Sequence, residues 1–210
     1  MKNEPRLREV RWFRALRFGG GAIWRLLWHP KVIGKKNIPR RGGAVICYNH
    51  KAGLDPFLAE ATAGRVLHPL AAGYLFDLPV IGKLIKSLGA IRVNRAKDGD
   101  TPHTGDPLGQ AVKILKAGGA IYINPEGTRN RVGQRDRLLL KLHSGAARMA
   151  IESGAKLIPA AIIGRYKIFG RSVKLIVGEP LDLTNLDAKR ATEKLRQAML
   201  KLLKDGGDIL

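Results

Sequence analysis

Cysteine is almost missing from this chain: Cys47 is the only one in 210 residues, which excludes an internal disulfide framework and a clustered thiolate metal site. Acids are scarce as well, 17 Asp and Glu against 38 Lys and Arg, leaving a formal net charge of +21. A chain this basic is expected to meet a polyanion: nucleic acid, an anionic membrane surface or a phosphorylated substrate. Aromatics make up only 6% of the residues, and the three tryptophans, Trp12, Trp24 and Trp28, lie together near the N-terminus. No recognisable nucleic-acid-reading motif accompanies them, so nucleic acid is not expected as a partner. No apolar run approaches the ~18 residues needed to cross a bilayer. Arginine repeatedly breaks the N-terminal apolar stretch, so it does not read as a cleavable signal peptide. The expected location is the cytoplasmic face of the cell membrane.

The charge that is present is uneven. Residues 1–41 hold twelve Lys or Arg against Glu4 and Glu9. From Arg6 to Trp28, Trp12, Leu16, Ile23, Leu26 and Leu27 recur at helical spacing, with Arg8, Arg11, Arg14 and Arg25 mainly off that stripe. Gly19, Gly20 and Gly21 predict a kink or a break into two helices. A basic amphipathic segment with Trp12, Phe13, Trp24 and Trp28 suits the headgroup level of an anionic membrane; the competing reading is an ordinary helix packed on the core. We therefore divide the chain into an N-terminal membrane-surface segment, 1–34, and one domain, 35–210.

In that domain strands and helices alternate. Strands are expected at Ala44–Tyr48, Ala90–Val93, Ala120–Ile123, Leu157–Ile163 and Val173–Val177. Helices are expected at Pro56–Ala63, Pro79–Leu88, Pro107–Ala117, Leu138–Ser153 and Ala188–Lys204. The fold class is α/β, with a mostly parallel central sheet flanked by helices.

Ligands of such sheets bind beyond the carboxyl ends of the strands, where polar clusters of this chain fall. The first cluster is Asn49-His50-Lys51-Ala52-Gly53-Leu54-Asp55-Pro56. A histidine held by a carboxylate is the minimal device for activating a hydroxyl nucleophile. Asp55 before Pro56 also reads as a helix N-cap, and taken alone the cap is the better reading. The two roles coexist only if the side chain turns back to His50. The second cluster, Asn124 to Arg131, contains Glu126, Gly127, Thr128 and Arg129. An arginine fork suits phosphate oxygens, and Gly127 permits close backbone approach. Glu126 is suited to orienting an arginine or accepting from a polar substrate group. Cys47, inside a strand, reads as a buried structural thiol. His143 with Lys141 is a lesser candidate for the edge of a nucleotide site.

The pair His50-x-x-x-x-Asp55 and Glu126-Gly127-Thr128-Arg129 resembles the glycerolipid acyltransferase family that includes lysophosphatidic acid acyltransferases. Leu88-Gly89-Ala90-Ile91-Arg92-Val93-Asn94-Arg95 resembles that family's second box, ending on Arg95, and Leu157-Ile158-Pro159-Ala160-Ala161 its fourth. Each box is weak alone; four in the family's order are specific. The chain departs from the pattern at Ala71-Ala72-Gly73-Tyr74-Leu75, where many relatives are lysine-rich, and at Asn94 and Asn124. The resemblance implies direct acyl transfer with His50 as general base and Asp55 orienting it. Arg95, Glu126, Gly127, Thr128 and Arg129 would position the acceptor's phosphate. It implies acyl-CoA or acyl carrier protein as donor substrate, no other cofactor and no metal. The implied acceptor is a lysophospholipid, 1-acylglycerol-3-phosphate in the first place, with another lysolipid or a glycolipid as alternative. A hydrolase using the same pair on water is a chemical rival, and a basic nucleic-acid-binding protein is the rival from another class.

Overall fold

The computed structural model describes residues 26–27, 29–94, 105–130, 138–164, 166 and 173–207. Arg95, Arg131 and the three tryptophans lie outside that set, as does nearly all of the expected N-terminal helix. The strands are β1 (Lys31–Ile33), β2 (Ala44–Cys47), β3 (His68–Ala72), β4 (Ile91–Val93), β5 (Ala120–Ile123), β6 (Lys156–Ile163) and β7 (Lys174–Val177). The helices are α1 (Asp55–Ala63), α2 (Pro79–Ser87), α3 (Pro107–Lys116), α4 (Gly145–Ser153) and α5 (Ala188–Asp205). Short 3-10 turns occupy Lys35–Asn37 and Gly73–Asp77.

The seven strands form one sheet in the order β1-β7-β6-β2-β5-β3-β4. Every pairing is parallel except β6 with β7. The centre of the sheet is β2, all four of whose residues are buried because helices cover both faces. Alternation sorts its side chains. Val45 and Cys47 face α3, α4 and α5 through Leu115, Met149, Leu195 and Met199. Ala44 and Ile46 face α1 through Leu58, Ala59 and Ala63, together with Tyr48 and Tyr122. Burying Cys47 completely pushes its thiol pKa up, the condition of an inert structural cysteine. Among the described residues, no helix is long and apolar enough to cross a membrane.

Several expectations need correcting. Lys31–Ile33, assigned to the N-terminal segment, is instead the edge strand on β7. β3 was not foreseen, because Pro69 interrupts its pattern and alanines end it. The helix expected from Leu138 begins only at Gly145. Its intended first turns are held in a non-helical course by two backbone bonds: Leu140 N–H donates to Glu126 Oε2 (2.9 Å) and His143 N–H to the Pro125 carbonyl (2.8 Å).

Candidate active site

The carboxyl ends of β2 and β5 lie side by side, in the register Cys47↔Ile123. Both polar clusters of the sequence therefore emerge at one edge of the sheet. Asn49, which is buried, extends the ladder beyond β2 with its side chain. Its Nδ2 donates to the Ile162 carbonyl (3.0 Å), and Oδ1 accepts from Ile162 N–H (2.7 Å). The amide of Asn124 donates to the carbonyls of Tyr48 (3.0 Å) and Asn49 (3.2 Å). Two asparagines thus secure the chain on which the next residue, His50, stands.

Both peptide groups of His50 are taken by the second cluster. Its N–H donates to Glu126 Oε1 (2.8 Å), and its carbonyl accepts from Asn130 N–H (3.0 Å). Its ring Nδ1 lies 2.9 Å from Asp55 Oδ2. That same oxygen accepts Lys51 N–H (2.7 Å) and Ala52 N–H (2.9 Å), the pattern of an ionised, acceptor-only carboxylate. Nδ1 therefore carries the proton and Nε2 the lone pair. The ring is 21% exposed whereas Asp55 is fully buried, so the imidazole reaches the surface and its carboxylate partner does not.

Asp55 does not cap its helix. It is the first residue of α1, and neither its own side chain nor that of Leu54, the residue at the N-cap, makes a capping bond there. The carboxylate turns back on residues 50–52, which decides between the two sequence readings in favour of His50. Its other oxygen, Oδ1, accepts the Tyr166 hydroxyl at 2.6 Å. Burial and the neighbouring Asp55 charge push the Tyr166 pKa up, so it is a donor and not a phenolate at neutral pH. No local pattern marks Tyr166. What could have flagged it is its place just past the end of β6, at the edge where β2 and β5 end.

Glu126 is neither an arginine orienter nor an open substrate contact. It is 2% exposed, and its two oxygens accept the backbone N–H groups of His50 and Leu140. Burial raises its pKa, an effect that those two N–H groups and the nearby His50 oppose. Glu126→Ala would leave two partly buried donors without their acceptor, and should destabilise the fold by about 2–6 kcal/mol at about 1–3 kcal/mol per group. Urea unfolding measures this; a loss below about 0.5 kcal/mol would contradict the bracing role.

Gly127 stands at φ +63, in the left-handed region open to glycine, and turns the chain so that Thr128 and Arg129 are exposed. Among the described residues, Arg129 makes no ion pair, and it directly precedes the Asn130 amide that holds His50. His143 is exposed and ties its backbone to Pro125, which leaves its side-chain role open. No group of His, Cys, Asp or Glu suited to a metal occurs among the described residues.

The fold and the sequence both have known relatives. A crystal structure of the 1-acyl-sn-glycerophosphate acyltransferase of Thermotoga maritima superposes with a TM-score of 0.67 at 20% identity, covering 96% of this chain and 84% of that one. A 1-acyl-sn-glycerol-3-phosphate acyltransferase of Borreliella burgdorferi is 28% identical over 183 residues, 82% of this chain and 70% of the relative. A chloroplastic enzyme of the same name from Arabidopsis thaliana is 25% identical over 180 residues, 80% of this chain but only 48% of its own length. The family model described as Acyltransferase matches residues 29–163, more than half of the chain, and that stretch carries His50, Asp55 and the loop from Asn124 to Asn130. With the His50–Asp55 pair and the Glu126 carboxylate that ties the His50 and Leu140 backbones inside the matched region, this chain belongs to the acyltransferase family.

Proposed function

We propose that the protein transfers a fatty-acyl group from the thioester of acyl-CoA or acyl carrier protein to the hydroxyl of a lysophospholipid, 1-acylglycerol-3-phosphate in the first place. The observation that carries this reading is the juxtaposition of an oriented base with an arginine. His50 Nε2 is left for substrate, and the loop bonded to the His50 backbone presents Arg129. The names of the Borreliella and Arabidopsis relatives support the same acceptor.

In the proposed reaction, Nε2 takes the proton of the acceptor hydroxyl as its oxygen attacks the thioester carbonyl carbon. The tetrahedral intermediate then expels the thiol, which receives that proton from the imidazolium. An ester and a free thiol result, and no acyl-enzyme forms. Asp55 holds the ring and stabilises its charged form. Arg129, with Thr128, Gly127 and Arg95, receives the phosphate, while Glu126 keeps their loop fixed to His50. Attachment to the cytoplasmic face of a membrane is part of the proposal, supported by the excess of Lys and Arg.

Product analysis with acyl-CoA, with and without lysolipid, tests the reading. Thioester cleavage indifferent to acceptor would instead identify a hydrolase. Arg129→Ala should raise KM for the phosphorylated acceptor about 10- to 100-fold, the worth of one charge-assisted contact, with kcat little changed. An unchanged KM would remove Arg129 from the phosphate site. A monoacylglycerol, which lacks the phosphate, should not distinguish the variant from the parent.

A further inference from the structure

Beside the active site the fold exposes an apolar surface that catalysis does not explain. β3 runs parallel to β5, with His68 opposite Ile121 and Pro69 opposite Tyr122, and β5 runs parallel to β2, so the turn that follows Ala72 leaves the sheet at the same edge as His50. Only β5 stands between β2 and β3 in the sheet, so the strands that lead to His50 and to the Gly73–Asp77 turn are two spacings apart, about 10 Å. There Tyr74 is 43% exposed, Leu78 39%, Val80 78% and Ile81 43%. Val80 and the half-buried Leu84 are one helical turn apart, on the side of α2 away from its buried Gly82 and Ile85.

This surface rests on a fixed support. A Cβ on Gly82 would overlap the Phe76 carbonyl oxygen, so α2 and the preceding turn are in backbone contact. Arg92 clamps the Asp77 carboxylate through both terminal nitrogens (3.2 and 2.7 Å) and lies 5.5 Å over the Phe76 ring. That pairing neutralises the only acid between Gly73 and Ala90, leaving the exposed Lys83 and Lys86 as the net charge of the patch. Large apolar groups presented with a tyrosine and lysines fit the interface of an anionic bilayer.

We propose that the Gly73–Ser87 rim is the surface by which the catalytic domain itself sits on an anionic phospholipid bilayer. Tyr74, Leu78, Val80 and Ile81 enter the headgroup boundary, and Lys83 and Lys86 meet lipid phosphates. The proposal rests on the lipid-acceptor reading above and deepens it: the acceptor passes from the leaflet to His50 along the same edge, with its acyl chain kept out of water. It also gives the chain a second lipid contact besides its basic N-terminal stretch.

Flotation of the full-length protein with phosphatidylcholine vesicles, with and without phosphatidylglycerol, tests it. Val80→Ser/Ile81→Ser should lower partitioning on both vesicle types, by about tenfold for two side chains kept from burial. Lys83→Gln/Lys86→Gln should lower it only on the anionic vesicles. Turnover of a short-chain acceptor dispersed as monomers should stay at the parental value in both variants, while turnover of vesicle-embedded acceptor falls. Partitioning equal to that of the parent in Val80→Ser/Ile81→Ser overturns the proposal. It is equally overturned if the variants lose self-association, or binding to an acidic carrier protein, while vesicle binding persists. If the parent acylates no lysolipid, the functional reading fails, and flotation still decides the surface.

Discussion

Replacing His50 with alanine should lower acyl transfer by about a thousandfold, within the range of about 10²–10⁴ ascribed to a positioned general base. The expectation follows from the two ring nitrogens. Nδ1 is committed to Asp55 at 2.9 Å, and Nε2 is the only lone pair of the ring left for a hydroxyl. Of the described titratable groups beside it, Glu126 is buried with both oxygens accepting from backbone, and Cys47 is fully enclosed in β2, so neither can take over. The backbone bonds of residue 50 do not involve the ring, so alanine keeps them. The ring is also partly exposed, and its loss should move the thermal midpoint by only a few degrees, the size of about a 1 kcal/mol change. Steady-state turnover together with thermal unfolding gives the check. Near-normal turnover by a folded variant would end the general-base assignment.

Asp55→Asn should cost about a hundredfold to a thousandfold in kcat with the acceptor KM nearly unchanged, because it removes a charge and little else. An asparagine oxygen can still accept from His50 Nδ1, Lys51 N–H and Ala52 N–H, and the Tyr166 hydroxyl can turn to accept from the amide. What is lost is the anion beside the imidazolium that forms as the hydroxyl is deprotonated. In a fully buried position that attraction is weakly screened. Tyr166→Phe is the graded comparison. It deletes one neutral donor and leaves the charge, so its loss should be several-fold and confined to kcat. A variant Asp55→Asn with parental kcat would show that the carboxylate merely organises the loop.

How much of this could be read from the residues differs between parts. The α/β class was legible because β2, β5 and β6 are continuous apolar runs, the mark of strands covered on both faces. β1 was not, being three residues long, at an edge and largely exposed. The direction of β7 was not legible either, since a strand's pattern is the same whichever way its neighbour runs. His50 and Asp55 stood out because only four residues separate them. Their relation stayed ambiguous because the same Asp-Pro pair that starts α1 also lies within reach of the histidine. Tyr166 and the bracing function of Glu126 depend on partners 111 and 76 residues away, and no local pattern encodes them. The Leu138–Leu140 run misled for a related reason: its apolar spacing suits a helix, but Glu126 and Pro125 hold the backbone first.

The bonds on either side of His50 have a consequence for how activity is acquired. Its N–H and carbonyl close onto residues 126 and 130, and the residue before it closes onto Ile162. Each closure joins segments far apart in the chain, so none forms by local chain collapse, and each waits on the central strands meeting in register. The His50–Asp55 segment by itself lacks the contacts that hold its imidazole in place. The placement of the His50 ring therefore depends on the middle of the sheet being complete, and not on the His50–Asp55 segment alone.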